Sequence, residues 1–141
     1  MLAAVRPDDW NIELLIHIAG AMVLVGALLT ALILAVSGSP SRLTFRALLW
    51  AAIPAWFVMR IFAEVIATSE GLTGKGKEEP TWVVIGYMTS EPAFIAMLIA
   101  TIVAGVSSRR GGTTSKWVTG LIAFSIILSL VAVWAMTTKP S

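Results

Sequence analysis

Arg60 and Glu64 stand four positions apart in the apolar stretch FVMRIFAEVIATSEG, residues 57–71. On a helix, side chains at positions i and i+4 lie on one face, so this guanidinium and carboxylate can form an ion pair. A charge at the centre of a bilayer costs about 2.5–3.5 kcal/mol on insertion scales, so such groups generally face a bundle interior or a water-filled cavity. The spacing therefore predicts either a polar site or a structural ion pair that fixes helix register.

Other polar side chains fall at a similar depth in neighbouring apolar runs. His17 lies near the start of the first run, and Glu91 lies at a comparable distance into the third. Because three runs carry ionisable groups into the same half of the bilayer, we expect these groups to face one another in a pocket with Arg60 as its central cation. The predicted pocket residues are Glu13, His17, Trp56, Arg60, Glu64, Tyr87 and Glu91.

Structural interpretations stay open beside this one. Glu13 and Glu64 lie close enough to the ends of their runs to be hydrated, and Arg60 can extend its stem toward the interface. A single histidine in an apolar helix is more often held by a hydrogen bond than used as a ligand. The same carboxylates also suit a small proton- or ion-coupled transporter that uses Glu91 or Glu64 as its carrier group.

Methionine sulfur and imidazole nitrogen suggest another alternative. They provide ligands for Cu(I), and a His–Met pair is an axial ligand set of haem. Methionine is also common filler in apolar helices. A haem- or copper-binding electron-transfer protein would draw its ligands from His17, Met59, Met88 and Met136.

The composition indicates an integral membrane protein. Hydrophobic residues make up 57% of the 141 residues and charged residues only 13%, whereas about 25% of a soluble domain is charged. The chain has no cysteine and one histidine, which excludes disulfides, thiolate metal sites and multi-histidine sites within one chain. A formal charge of +2 is too small for a nucleic-acid-binding surface, so we expect no nucleic-acid partner.

Four apolar runs reach the roughly 20 residues that cross a bilayer, and we expect all four to be helices. The first is as long as a full span, which favours a membrane helix over a cleaved signal. The chain is therefore predicted to be one all-α domain, an up-down four-helix bundle that crosses the cell membrane several times. The predicted spans cover about residues 11–36, 43–68, 81–106 and 117–137.

Two smaller features refine this arrangement. Small residues on the first span favour close approach of another helix; they are Ala19, Gly20, Gly26 and Ala27. Pro92, inside the third span, predicts either a kink or a helix start capped by Thr89 or Ser90.

Basic residues predict the orientation. The short connections after the first and third spans carry arginine and lysine and no acid, whereas the acidic residues lie in the other half of the spans or beyond it. The positive-inside rule then places both short loops in the cytoplasm and both termini outside. The basic residues concerned are Arg42, Arg46, Arg109, Arg110 and Lys116.

The stretch LLIHIAGAMVLVGALLTA, residues 14–31, resembles the opening helix of several bacterial four-span families. These include copper-resistance-D-like proteins and protoporphyrinogen oxidases of the HemJ type, whose histidine binds haem. The resemblance rests on His17 and on Gly26, nine residues later, and covers one helix of four. It implies a haem-binding role for His17. The third span lacks the further basic residue that the oxidase family leads us to expect, so enzyme activity is not implied.

We therefore expect a non-catalytic integral membrane protein with a polar pocket in the outer half of its bundle. No nucleophile–base pair, phosphate-binding loop or metal-ligand spacing points to an enzyme. Four helices shield little surface from lipid, so the expected partners besides the bilayer are further copies of the chain or other membrane subunits.

Overall fold

The computed structural model describes residues 12–74, 76 and 78–139. These residues form helices and no strand, and four of the helical rods are long and apolar enough to cross a membrane. The predicted all-α class is confirmed. The elements are α1 (Ile12–Val36), α2 (Ser41–Ala47), a π-helical turn (Leu48–Ala52), α3 (Ile53–Ser69), α4 (Thr81–Arg109) and α5 (Lys116–Thr138).

The α1–α2 and α4–α5 loops lie side by side at one end of the bundle. The Ser41 N–H donates to the Gly112 carbonyl at 3.0 Å, and the Ser41 hydroxyl donates to Ser107 Oγ at 2.9 Å. Thr44 and Thr114 join their hydroxyls at 3.0 Å. Successive spans therefore alternate in direction, as an up-down bundle requires.

We call this end the basic end, because its loops and adjoining helix turns carry the arginines and the lysine that predicted orientation. The half of the bundle toward loop 70–80 is the acidic half. It holds every described glutamate: Glu13, Glu64, Glu70, Glu78, Glu79 and Glu91.

The π-helical turn joins α2 and α3 into one rod, residues 41–69. Pro54 lies two residues after the turn; proline has no N–H and its ring crowds the carbonyl four residues earlier. A wider turn accommodates this defect, and the Ile53 N–H bonds the Leu48 carbonyl five residues back. The span thus passes a proline without ending.

α4 also continues through Pro92. The Thr89 hydroxyl donates to the Ile85 carbonyl at 2.8 Å, so it bonds back into the preceding turn and does not cap a new helix. The alternative in which a helix starts at Pro92 is wrong.

The two halves of the bundle differ in what they bury. The main apolar core lies toward the basic end, with Leu28, Leu48, Met97 and Ile122 among its most deeply buried side chains. The buried positions of the acidic half are mostly small or polar. They are His17, Gly20, Ala67, Val83, Gly86, Ser90, Ala93 and Ala135.

α1 and α3 pack closely at Gly20. A Cβ atom at Gly20 would lie 3.0 Å from the backbone nitrogen of Met59, so only glycine allows this spacing. Gly26 has open space at the corresponding position, because it lies on another face of α1. Of the small residues predicted to permit close packing, Gly20 and Ala27 face the interior, whereas Ala19 and Gly26 are exposed.

We expect Gly20→Ala to destabilise the bundle and Gly26→Ala not to. The new methyl at position 20 meets backbone atoms that cannot rotate away, and overpacking of this kind costs about 1–3 kcal/mol. At position 26 alanine favours the helix, since glycine is about 1 kcal/mol worse in a helix interior. Thermal unfolding in detergent measures both. Equal melting temperatures for the two variants would contradict the close α1–α3 contact.

Candidate functional site

Arg60 on α3 bonds two glutamates on two helices. Its Nη1 donates to Glu64 Oε2 at 2.8 Å, one helical turn along α3, and its Nε donates to Glu91 Oε1 on α4 at 3.4 Å. The first bond is short and the second is long for an N–H···O contact. The guanidinium and the Glu91 carboxylate therefore meet across the gap between the two helices, as the sequence predicts.

Tyr87 closes the network from α4. Its hydroxyl donates to Glu64 Oε2 at 3.0 Å, and the Arg60 guanidinium carbon lies 4.4 Å from the centre of its ring. Tyr87 thus contacts both members of the ion pair. It donates a hydrogen bond to Glu64 and makes a cation–π interaction with Arg60. We call these four residues, Arg60, Glu64, Tyr87 and Glu91, the Arg60 cluster.

Trp56 lies one helical turn below Arg60 on α3 and forms a floor beneath the cluster. Its indole Nε1 donates to the Ser90 hydroxyl at 3.1 Å. Its ring stacks on Phe94 of α4 with 3.9 Å between ring centres, and Phe57 contacts both rings edge-on. Trp56 is buried and separates the polar cluster from the apolar core.

These side chains are the main links between the two helices, because α3 and α4 approach each other at few positions along their backbones. Long side chains fill the remaining distance. The linking residues of α4 occupy positions i, i+3, i+4 and i+7 and so share one face; they are Tyr87, Ser90, Glu91 and Phe94.

His17 lies outside the Arg60 cluster. Its Nδ1 is 2.8 Å from the Met59 carbonyl oxygen, and since a carbonyl only accepts, the ring nitrogen must donate. Met59 faces α1, whereas Arg60, the next residue, faces α4. The helical rotation between neighbouring residues thus separates His17 from the cluster that was predicted to include it.

Glu13 also lies apart. It is exposed in the first turn of α1, and its side chain makes no ion pair within the described part of the chain. Of the seven predicted pocket residues, the structure brings together Arg60, Glu64, Tyr87 and Glu91, with Trp56 beneath them. That they bind a ligand or an ion stays a prediction.

The methionines of the predicted metal set are dispersed. Met88 is exposed on α4, and Met136 of α5 packs over Gly86, with its methyl carbon 3.2 Å from where a Cβ would lie. Met59 contacts His17 through its backbone. Among the described residues no group of three or more histidines, aspartates and glutamates is placed to hold a metal ion.

The sequence interpretation missed Ser90 and Phe94. Both follow from helical periodicity, because Phe94 lies seven positions after Tyr87 and Ser90 three positions after it. The sequence suggests Ser90 only as a helix cap and assigns no role to Phe94. Their contribution is seen only in the structure, where Ser90 accepts a hydrogen bond from the Trp56 indole and Phe94 stacks on it.

The Arg60 cluster is only partly enclosed. The exposed fraction is 26% for the Arg60 side chain, 54% for Glu64 and 55% for Glu91. The guanidinium has five N–H donors, and the described residues use two of them. With both glutamates ionised the cluster carries one more carboxylate than cation, so it offers unused donors and acceptors at the bundle surface.

Comparison with protein-family models, with curated proteins and with solved structures finds no significant match for this chain. The family resemblance of the first helix therefore stays a prediction.

We expect Arg60→Ala to destabilise the protein, because it leaves two carboxylates without their shared cation. The cost lies between about 1 kcal/mol for an exposed pair and about 3–5 kcal/mol for a buried one, as the cluster is partly enclosed. A double-mutant cycle should give stronger coupling of Arg60 to Glu64 than to Glu91, following the bond lengths. Arg42→Ala is the control, since Arg42 is exposed at the basic end. An Arg60→Ala melting curve like that of Arg42→Ala would contradict the bonded cluster.

Proposed function

We propose that this protein is a homo-oligomeric integral membrane protein in which the Arg60 cluster forms a polar contact site between copies in the outer half of the bilayer. The observation that carries this proposal is the exposure of more than half of each cluster carboxylate, 54% for Glu64 and 55% for Glu91. No catalytic step is part of the proposal. The site is an assembly and recognition surface.

The exposure of these charged groups is energetically costly because they lie at the depth of the hydrocarbon layer. Arg60 lies nine residues before the end of α3 and Glu91 ten residues after the start of α4, which places them about 13 and 15 Å along their helices. Both rods contain 29 residues and are about 43 Å long, whereas the hydrocarbon layer is about 30 Å thick. With the excess shared between the ends, both groups fall about 7–8 Å inside the hydrocarbon boundary.

A second copy of the chain can cover the exposed carboxylates of the Arg60 cluster and supply them with polar partners. Two-fold symmetry brings the same patch of both chains together, so the patch must complement itself. The Arg60 cluster meets this requirement, because it holds both unused guanidinium N–H groups and an unpaired Glu91 oxygen. Arg60 of each copy can then donate to Glu91 of the other. Hydrogen bonds between polar side chains of neighbouring helices favour the association of helices in a bilayer.

The proposed orientation follows the positive-inside rule. The basic end lies in the cytoplasm, and the acidic half and both termini lie toward the outside. The side-by-side packing of the α1–α2 and α4–α5 loops supports this assignment, since it gathers the short basic loops on one side of the membrane.

Cross-linking tests the proposed contact. The chain has no cysteine, so Ile95→Cys introduces the sole thiol one turn beyond Glu91, at a position that is 57% exposed. We expect a short bis-maleimide to link Ile95→Cys chains into dimers in native membranes. Ile127→Cys on α5, equally exposed at 59%, is the matched control and should stay monomeric.

The cross-link should also weaken when Arg60→Gln is added to Ile95→Cys, because the guanidinium then no longer pairs with the second copy. Absence of dimers at position 95, or equal dimers at positions 95 and 127, would refute assembly through this face.

A second candidate function is haem or copper binding at His17. The Nδ1–H···O bond to the Met59 carbonyl supports it, because a ligating histidine usually donates its other ring N–H to a fixed acceptor. Nε2 is then the nitrogen able to coordinate. The remaining ligands would be a methionine sulfur or His17 of a second copy.

Under this second candidate, protein purified from membranes carries haem or copper, seen as visible absorption and by elemental analysis. His17→Ala should lose the bound group, while Glu13→Gln, an exposed change one turn away, should keep it. A colourless and metal-free wild-type sample would rule the candidate out.

A further inference from the structure

A groove opens between α2 and α4 at the basic end, remote from the Arg60 cluster. Its volume is about 370 Å³, within the range of about 300–1,000 Å³ that is usual for small-molecule sites. It is lined by Phe45, Ile102, Gly105, Val106, Ser108 and Arg109.

Gly105 shapes this groove. A Cβ at that position would lie 3.0 Å from Phe45 Cε2, so the absence of a side chain lets the phenyl ring lie against the backbone of α4. Ile102 and Val106, one turn apart on α4, are both exposed and form an apolar wall. Ser108 and Arg109 are the last two residues of α4 and line the mouth.

The mouth of the groove lies in a region of unbalanced positive charge. Arg109 makes no ion pair within the described residues, where the two ion pairs present both involve Arg60. Four further cations share this end, and the described glutamates all lie in the other half. The cations are Arg42, Arg46, Arg110 and Lys116.

Trp117 marks this end as an interfacial region. It is largely exposed in the first turn of α5, and tryptophan is enriched where membrane helices meet the headgroup layer. A site at this level contacts headgroups at its mouth and acyl chains along its wall. Basic pockets between helices at such positions recognise anionic headgroups.

We propose that this groove binds one anionic phospholipid. The phosphate group lies at Arg109 and the Ser108 hydroxyl, which supply positive charge and a hydrogen-bond donor. One acyl chain lies along Phe45, Ile102 and Val106. Charge complementarity and the apolar wall together favour an anionic phospholipid. A free anion makes no contact with the wall, and a zwitterionic lipid, although it carries the same phosphate, brings a cationic headgroup among the arginines. The proposal does not depend on the Arg60 cluster.

A structural role for Arg109 predicts something different. A cation in the last turn of a helix stabilises the helix terminus by itself, without selecting a lipid. The test must therefore measure lipid preference as well as stability, and must separate Arg109 from the general positive charge of this end.

The experiment measures binding of phosphatidylglycerol and phosphatidylcholine, with identical acyl chains, to the purified full chain by native mass spectrometry. We expect the wild type to retain one phosphatidylglycerol in preference to phosphatidylcholine. Arg109→Gln should lower the affinity for phosphatidylglycerol about tenfold, as loss of one hydrogen bond between charged groups does. Arg110→Gln is the matched control, because Arg110 is adjacent and exposed but does not line the groove.

A second variant tests the acyl wall. Val106→Trp fills the groove, keeps every charge and should weaken retention of phosphatidylglycerol; Ile102→Trp replaces it if the first variant does not fold by circular dichroism. Three results would each overturn the proposal. They are equal losses for Arg109→Gln and Arg110→Gln, unchanged binding in the wall-filling variant, and displacement of the lipid by millimolar inorganic phosphate.

Discussion

The Arg60 guanidinium, shared between Glu64 on its own helix and Glu91 on the next, governs the acidic half of this bundle. Charges inside a membrane span need partners within the protein, because hydrocarbon offers none. The backbones of α3 and α4 approach each other at few positions, so bonds between long side chains replace the close packing seen elsewhere. Tyr87 contacts both Arg60 and Glu64, and Trp56 packs beneath them and bonds Ser90 of α4.

The Arg60 cluster separates two regions of the bundle that are stabilised by different interactions. Toward the basic end, large aliphatic side chains pack into a core, and hydroxyl groups join the two short loops. Toward the acidic half, small residues and polar groups occupy the interior. The stacked rings of Trp56 and Phe94 lie at the boundary. A closely packed basic end and an acidic half bridged by long side chains are therefore properties of one helical frame.

The same division separates the two proposed sites. In the acidic half, the Arg60 guanidinium pairs with two carboxylates that stay partly uncovered, which suits contact with a self-complementary surface. At the basic end, charge is unbalanced beside an apolar groove, which suits an anionic amphiphile. Neither site requires movement of the helices. Both arise because each helix presents different residue types at its two ends, and the antiparallel arrangement gathers like ends together.

The sequence by itself determined the four long apolar helices, since apolar length alone identifies helices able to cross a membrane, and it placed Arg60, Glu64, Tyr87 and Glu91 in the same half of the bundle. It did not determine which face of each helix meets which neighbour. His17 and Arg60 share a depth, yet Met59 turns toward α1 and Arg60 toward α4, so the histidine bonds a carbonyl and stands apart from the cluster. The depth of a residue follows from its position along the chain, whereas the direction in which its side chain points depends on how whole helices rotate and pack. Only the tertiary structure decides that direction.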